Sequence, residues 1–110
     1  MKSYTDIEQS KKLANILPLE SADMYRIFEN NAETRAYYGK MPTAYFDCEP
    51  CWSLAALLNV LKYPSLTQDV ENKWFITDWT GARPKSEHGF DSPVDACYEM
   101  ILNLHKSNLL

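Results

Sequence analysis

The sequence predicts an α+β fold in which three helices pack on a small, mainly antiparallel β-sheet. Three observations carry that expectation. Leu54, Leu57, Leu58 and Leu61 recur at i, i+3, i+4 and i+7, which lays one apolar stripe along a helix. Between Leu66 and Trp79 the period changes to alternation, the pattern of strands. From Val94 to Leu104 the helical period returns, behind a start signal made of Ser92, Pro93 and Asp95.

In chain order, Thr5-Asp6-Ile7-Glu8 reads as a capping box in which the Thr hydroxyl and the Glu carboxylate satisfy free N–H groups at a helix start. Ile7, Leu13, Ile16 and Leu17 give this helix its apolar edge, Pro18 ends it, and Glu8, Gln9, Lys11 and Lys12 form a solvated face. Ser21 to Phe28 fits a strand with Met24, Arg26 and Phe28 on one face, or a short helix capped by Ser21. Its Tyr, Ile and Phe favour the strand. Glu29 to Lys40 is polar, with Asn-Asn and a Gly, and is expected to be an exposed, mobile loop. Ala44-Tyr45-Phe46, between two prolines, is expected to be a short extended piece at a sheet edge.

The central helix is assigned to Pro50 through Tyr63. Pro50 suits the turn into it, Ala55 and Ala56 add propensity, and Pro64 stops it by disfavouring the helical conformation of the residue before. At about eleven or twelve residues it is too short to cross a bilayer, which takes about 20. Leu66, Gln68 and Val70, then Trp74, Ile76 and Asp78, describe two strands joined near Glu71-Asn72. Asn72 is able to take the left-handed conformation that a tight hairpin requires, and the absence of the usual Asn-Gly pair leaves a longer turn open. Phe75, Thr77 and Trp79 lie on the opposite phase of the second strand. Thr80-Gly81 should turn the chain, and Arg83-Pro84 starts a segment ending at Phe90. In the last helix Val94, Cys97, Tyr98, Ile101 and Leu104 form the apolar face, with His105 and Lys106 at its negative end.

A chain of 110 residues, 45% hydrophobic and 24% charged, is expected to form one globular domain, with no room for a second core. Three glycines are too few for a tight β-barrel or a glycine-rich phosphate loop. The net charge of −4, with no basic run longer than Lys11-Lys12, disfavours nucleic acid as a partner. No apolar targeting segment or membrane anchor is present, and three cysteines, an odd number, suit a reducing cytoplasm better than a disulfide framework.

PCWSLAALLNVL (50–61), a short Trp-containing β segment and SPVDACYEMILNLHK (92–106), in that order, resemble a group of small proteins of unassigned activity in Bacteroides-type bacteria and their phages and mobile elements. Members of that group share an opening EQSKKL-type helix, a SADMY segment, a PAWSLSALL-type helix and a closing P-x-[DE]-A helix. The resemblance implies this order of elements and no particular reaction. The group has Ala where this chain has Cys51, so it implies no shared role for that thiol.

Candidate chemistry is sparse. Cys48-Glu49-Pro50-Cys51 places a C-x-x-C just before the expected helix, where the dipole would lower a thiol pKa. A thioredoxin-like site needs the first Cys at a helix cap behind a strand. A structural zinc needs two more ligands, and only Cys97, His88 and His105 remain, without paired spacing. Cys48 and Cys51 are therefore weak redox or metal candidates, and packing explains them as well. His88, with Ser86 and nearby Asp78, Asp91 and Asp95, lacks any nucleophile elbow or oxyanion loop. A nucleic-acid role would require Lys62, Lys73, Arg83 and Lys85 to cluster. No cofactor and no catalytic residue is indicated. The surplus of aromatics points instead to protein binding or self-association: Tyr45, Phe46, Phe75 and Trp79 are the expected interaction surface, with Tyr37 and Tyr38 near it.

Overall fold

The computed structural model describes residues 2–29, 32–41, 47–78 and 89–110. Helix α1 spans Ile7–Ala14, and its cap is Asp6, one residue later than expected. Asp6 Oδ1 accepts from Gln9 N–H at 2.8 Å and Gln9 Oε1 accepts from Asp6 N–H at 3.1 Å, a complete capping box. Thr-x-x-Glu and Asp-x-x-Gln both fit the motif, and a distant contact decides between them. Thr5 N–H is already committed to Trp52 O at 2.9 Å, which holds Thr5 extended. Its buried hydroxyl pairs with Ser10 Oγ at 2.8 Å and accepts from Trp52 N–H at 3.1 Å. The helix stops at Ala14, before Pro18, which instead leads into a 3-10 turn at Leu19–Ser21.

Strand β1 is Met24–Glu29, β2 is Ala32–Tyr38 and β3 is Asp47–Cys51. They form an antiparallel sheet in the order β2-β1-β3. Met24 and Arg26 are buried on one face of β1, as the alternation predicts. Most of the expected loop of Glu29 to Lys40 is instead strand β2. A strand at a sheet edge with one open face needs few apolar residues, and Gly39, with φ of 118°, follows it. The expected edge piece Ala44-Tyr45-Phe46 lies outside the described residues.

The central helix is shorter than expected and starts later. Cys51 belongs to β3, Trp52 pairs with Thr5, and α2 runs over Leu54–Val60, capped by Ser53, whose Oγ accepts from Ala56 N–H at 3.2 Å. The leucine stripe nevertheless lies as predicted: Leu57 and Leu61 are buried, and Leu54 and Leu58 are half-buried against the core. Pro64 does not end the helix; it begins β4, Pro64–Gln68, which pairs antiparallel with β5, Trp74–Asp78. Asn72, with φ of 64°, is the left-handed residue of the long turn between them. Asp69 Oδ1 ties that turn by accepting from Glu71 and Lys73 N–H, both at 2.9 Å. Val70 is fully exposed in the turn instead of extending the strand alternation.

Helix α3, Pro93–Lys106, follows the sequence reading closely. Ser92 Oγ accepts from Asp95 N–H at 3.0 Å, and Val94, Cys97, Tyr98, Ile101 and Leu104 are all buried. They join Leu13, Trp52, Leu57 and Ile76 in the core, so the helices cement two small antiparallel sheets where the sequence suggested one. Of the segment ending at Phe90, only the end is described: Phe90 and Trp74 exchange backbone hydrogen bonds at 2.8 Å. Among the described residues no helix is long and apolar enough to cross a membrane.

Candidate interaction surface

The two faces of the β2-β1-β3 sheet differ in chemistry because register sorts their residues. Cross-strand partners share a face, so Tyr38, Met24 and Cys51 form one row of the inner face and Ala36, Arg26 and Glu49 the next. This face meets α1. Arg26, only 2% exposed, donates to Ser10 Oγ at 3.0 Å and to Thr5 O, and its guanidinium sits 5.4 Å from the centre of the Tyr4 ring. Hydrogen bonds and an aromatic face together compensate the lost hydration of this buried cation, so Arg26 is an anchor of the sheet on α1 and not a ligand site.

The outer face carries Tyr37, Tyr25 and Pro50 in one row and Arg35, Ile27 and Cys48 in the next. Tyr25 and Tyr37 stack, ring centres 5.5 Å apart and planes at 24°. Tyr37 is 39% exposed, Arg35 is exposed, and Tyr25, Ile27, Pro50 and Cys48 are half-buried. Among the described residues, an aromatic stack with aliphatic neighbours and one cation, Arg35, thus faces outward on the sheet. Among the described residues no helix packs against this face.

The two edges of the sheet differ as well. Gly39 N–H donates to Asp23 O at 2.9 Å, so residues 23 and 39 form a hydrogen-bonded antiparallel pair. Alternation along the ladder makes Tyr25 with Tyr37 and Ile27 with Arg35 the next such pairs, and turns the N–H and C=O of Ala36 and Tyr38 away from β1. On the other side, Pro50 opposes Tyr25 at a position whose nitrogen points out of the sheet, so its missing donor costs no ladder bond. Trp52, the next outward residue, is occupied by Thr5. The β3 edge is therefore blunted at Pro50 and occupied at Trp52, whereas among the described residues no strand pairs with the outer edge of β2.

None of the four residues of the sequence-predicted surface is seen on this face, where Tyr37, expected near that surface, does lie. Tyr45, Phe46 and Trp79 lie outside the described residues. Phe75 is half-buried in the other sheet, its ring against Gly89, where an added Cβ would come within 3.1 Å of it. Tyr25, Ile27 and Arg35 escaped the sequence reading. The signal for them is the alternation Tyr25, Ile27 and Arg35, Tyr37, which the polar composition of residues 29–40 obscures.

The thiol candidates fare differently from their sequence context. Cys48 and Cys51 lie in a strand, not at a helix start, and three residues apart they point to opposite faces, Cys48 outward and Cys51 into the core. One metal or one dithiol cannot use both from that arrangement. Cys97 is buried in α3, and burial pushes its thiol up to about 12, the reverse of an activated nucleophile. None of the three is in a disulfide, and among the described residues no three Cys, His, Asp or Glu side chains gather as metal ligands.

Charge elsewhere is paired or dispersed. Lys73 is bonded to Asp91, Lys62 is exposed beyond α2, and Arg83, Lys85 and His88 lie outside the described residues. Lys2 bridges Asp95 at 2.7 Å and Asp6 at 3.1 Å, tying the N-terminal segment to the start of α3. Desolvation would lower the Lys2 pKa, but Asp95 and Asp6 outweigh it and raise it. Burial would likewise raise Asp95, yet hydrogen bonds from Lys2, Gln9 and Ser92 hold it below the usual carboxylate range. A cleft of about 560 Å³ lies among the ends of the three helices, with Leu17, Ala56 and Leu104 as its buried lining. Glu20, Lys62 and His105 at its exposed margin mix both signs and select no ligand charge.

No protein-family model, no curated protein and no solved structure matches this chain.

Proposed function

We propose that this is a small cytoplasmic interaction or accessory protein that acts by binding another protein or by self-association, through the outer face of the β2-β1-β3 sheet. The observation that carries the proposal is the Tyr25–Tyr37 stack, with Tyr37 exposed, beside half-buried Ile27 and exposed Arg35. Tyr and Arg are the residues that contribute most per contact at protein interfaces, and a sheet holds them with little ordering cost on binding. The resemblance to small proteins of Bacteroides-type mobile elements agrees with an accessory role. A redox or metal function is less favoured, because Cys48 and Cys51 face opposite ways.

The test is site-specific photo-crosslinking in cells that express the protein. Ile27 is replaced by a benzoylphenylalanine, and exposed Lys12 on α1 serves as the comparison position. Discrete protein adducts from position 27, absent from position 12, are the expected result. Absence of adducts at 27, or the same adducts from both positions, would sink the proposal.

A further inference from the structure

We infer that the occupant of the open β2 edge is a second copy of this chain, pairing β2 with β2 in antiparallel fashion about Ala36. The inference deepens the interaction reading above and rests on it. Only residues whose N–H and C=O point away from β1 can bond to a new strand, and between the bulge and Gly39 these are Ala36 and Tyr38. A two-fold axis through Ala36 makes it a hydrogen-bonded pair with its own copy, and places Arg35 opposite Tyr37 of the other copy, twice.

That register is chemically matched. Arg35 and Tyr37 are exposed on the same outer face, in a non-hydrogen-bonded pair, where side chains approach most closely. Each guanidinium meets a Tyr ring already held by its stack on Tyr25. Sliding the register by two residues, the smallest step that keeps outward-facing backbone groups paired, would put Tyr37 opposite Tyr37 or Arg35 opposite Arg35, and no Arg would face an aromatic. β2 is the longest strand of either sheet and carries neither Pro nor Lys, the residues that most often protect a free edge, whereas β3 carries Pro50 at its own. An axis perpendicular to the sheet keeps both outer faces on one side, so the two aromatic rows become one continuous surface.

Three variants test the pairing. Ala36→Cys, oxidised with glutathione disulfide, should form a covalent dimer several-fold faster than Lys12→Cys, because position 36 meets itself across the axis at a separation a disulfide spans. Ala36→Pro removes an N–H that β1 does not use, so it should fold as the parent does yet sediment as a monomer where the parent self-associates. Arg35→Ala should weaken self-association about five- to thirtyfold, the value of two exposed cation–π contacts. Equal oxidation rates at positions 36 and 12, or Ala36→Pro sedimenting like the parent, would overturn the pairing. Photo-adducts from position 27 to a different protein, with a monomeric parent, would also overturn it while leaving the interaction reading intact. Loss of the reading itself would show first as no adduct at position 27.

Discussion

Lys2, Gln9 and Asp95 show how single side chains join segments that the sequence presents as separate. Asp95 Oδ1 accepts from Lys2 Nζ at 2.7 Å and from Gln9 Nε2 at 2.8 Å, so one carboxylate at the start of α3 holds both the N-terminal segment and α1. Its pKa is depressed in the folded state, so its contribution is present above the unfolded value of about 4 and is lost as pH falls through the folded pKa. The raised pKa of Lys2 gives the converse: its contribution is full below about 10.4 and is lost as pH rises through its folded value. Urea unfolding of Asp95→Asn across pH should therefore show a smaller difference from the parent in acid below pH of about 4 than at neutrality. A constant difference at every pH would contradict the pairing. Asp95 was legible as a helix-start residue; its partners were not, because Lys2 is 93 positions away and no local pattern joins the two.

At the scale of elements, the sequence was most informative where a local signal and the burial pattern agree. In α3 the Ser92-Pro93 start and the Val94, Cys97, Tyr98, Ile101 series coincide, and both are observed. It was least informative where distant pairing overrides local preference. Cys51 and Trp52 fit a helix locally, but β1 and Thr5 claim their backbones first. β2 is polar and, among the described residues, lies at a sheet edge, and polarity alone cannot distinguish an edge strand from a loop. The hairpin of β4 and β5 was readable through Asn72; the role of Gly89 was not. A Cβ on Gly89 would lie 2.5 Å from Lys73 Cβ and 3.1 Å from the Phe75 ring, so Phe90 reaches Trp74 only because residue 89 has no side chain. Gly89→Ala should cost about 1–3 kcal/mol through overpacking, measured by chemical unfolding. An unchanged midpoint would show that Phe75 and Lys73 give way freely.

For the whole molecule, the arrangement of layers leaves one consequence. The core gathers α2, α3, Ile76 of β5 and Leu13 of α1, while the inner face of the β2-β1-β3 sheet is fixed to α1 by the Arg26 bonds. The outer face of that sheet and the β2 edge then remain without a covering element among the described residues, in the one region where exposed aromatics stack. Of this the sequence disclosed the aromatic surplus and the protein-binding expectation. The location stayed hidden, because it depends on register, which no single strand encodes. The most direct test is amide hydrogen exchange of β2, followed residue by residue by NMR at low and high protein concentration. The account predicts that the Ala36 amide gains protection as concentration rises, while Arg35 and Tyr37, already bonded to β1, stay protected throughout. Ala36 exchanging at one rate at every concentration would contradict it.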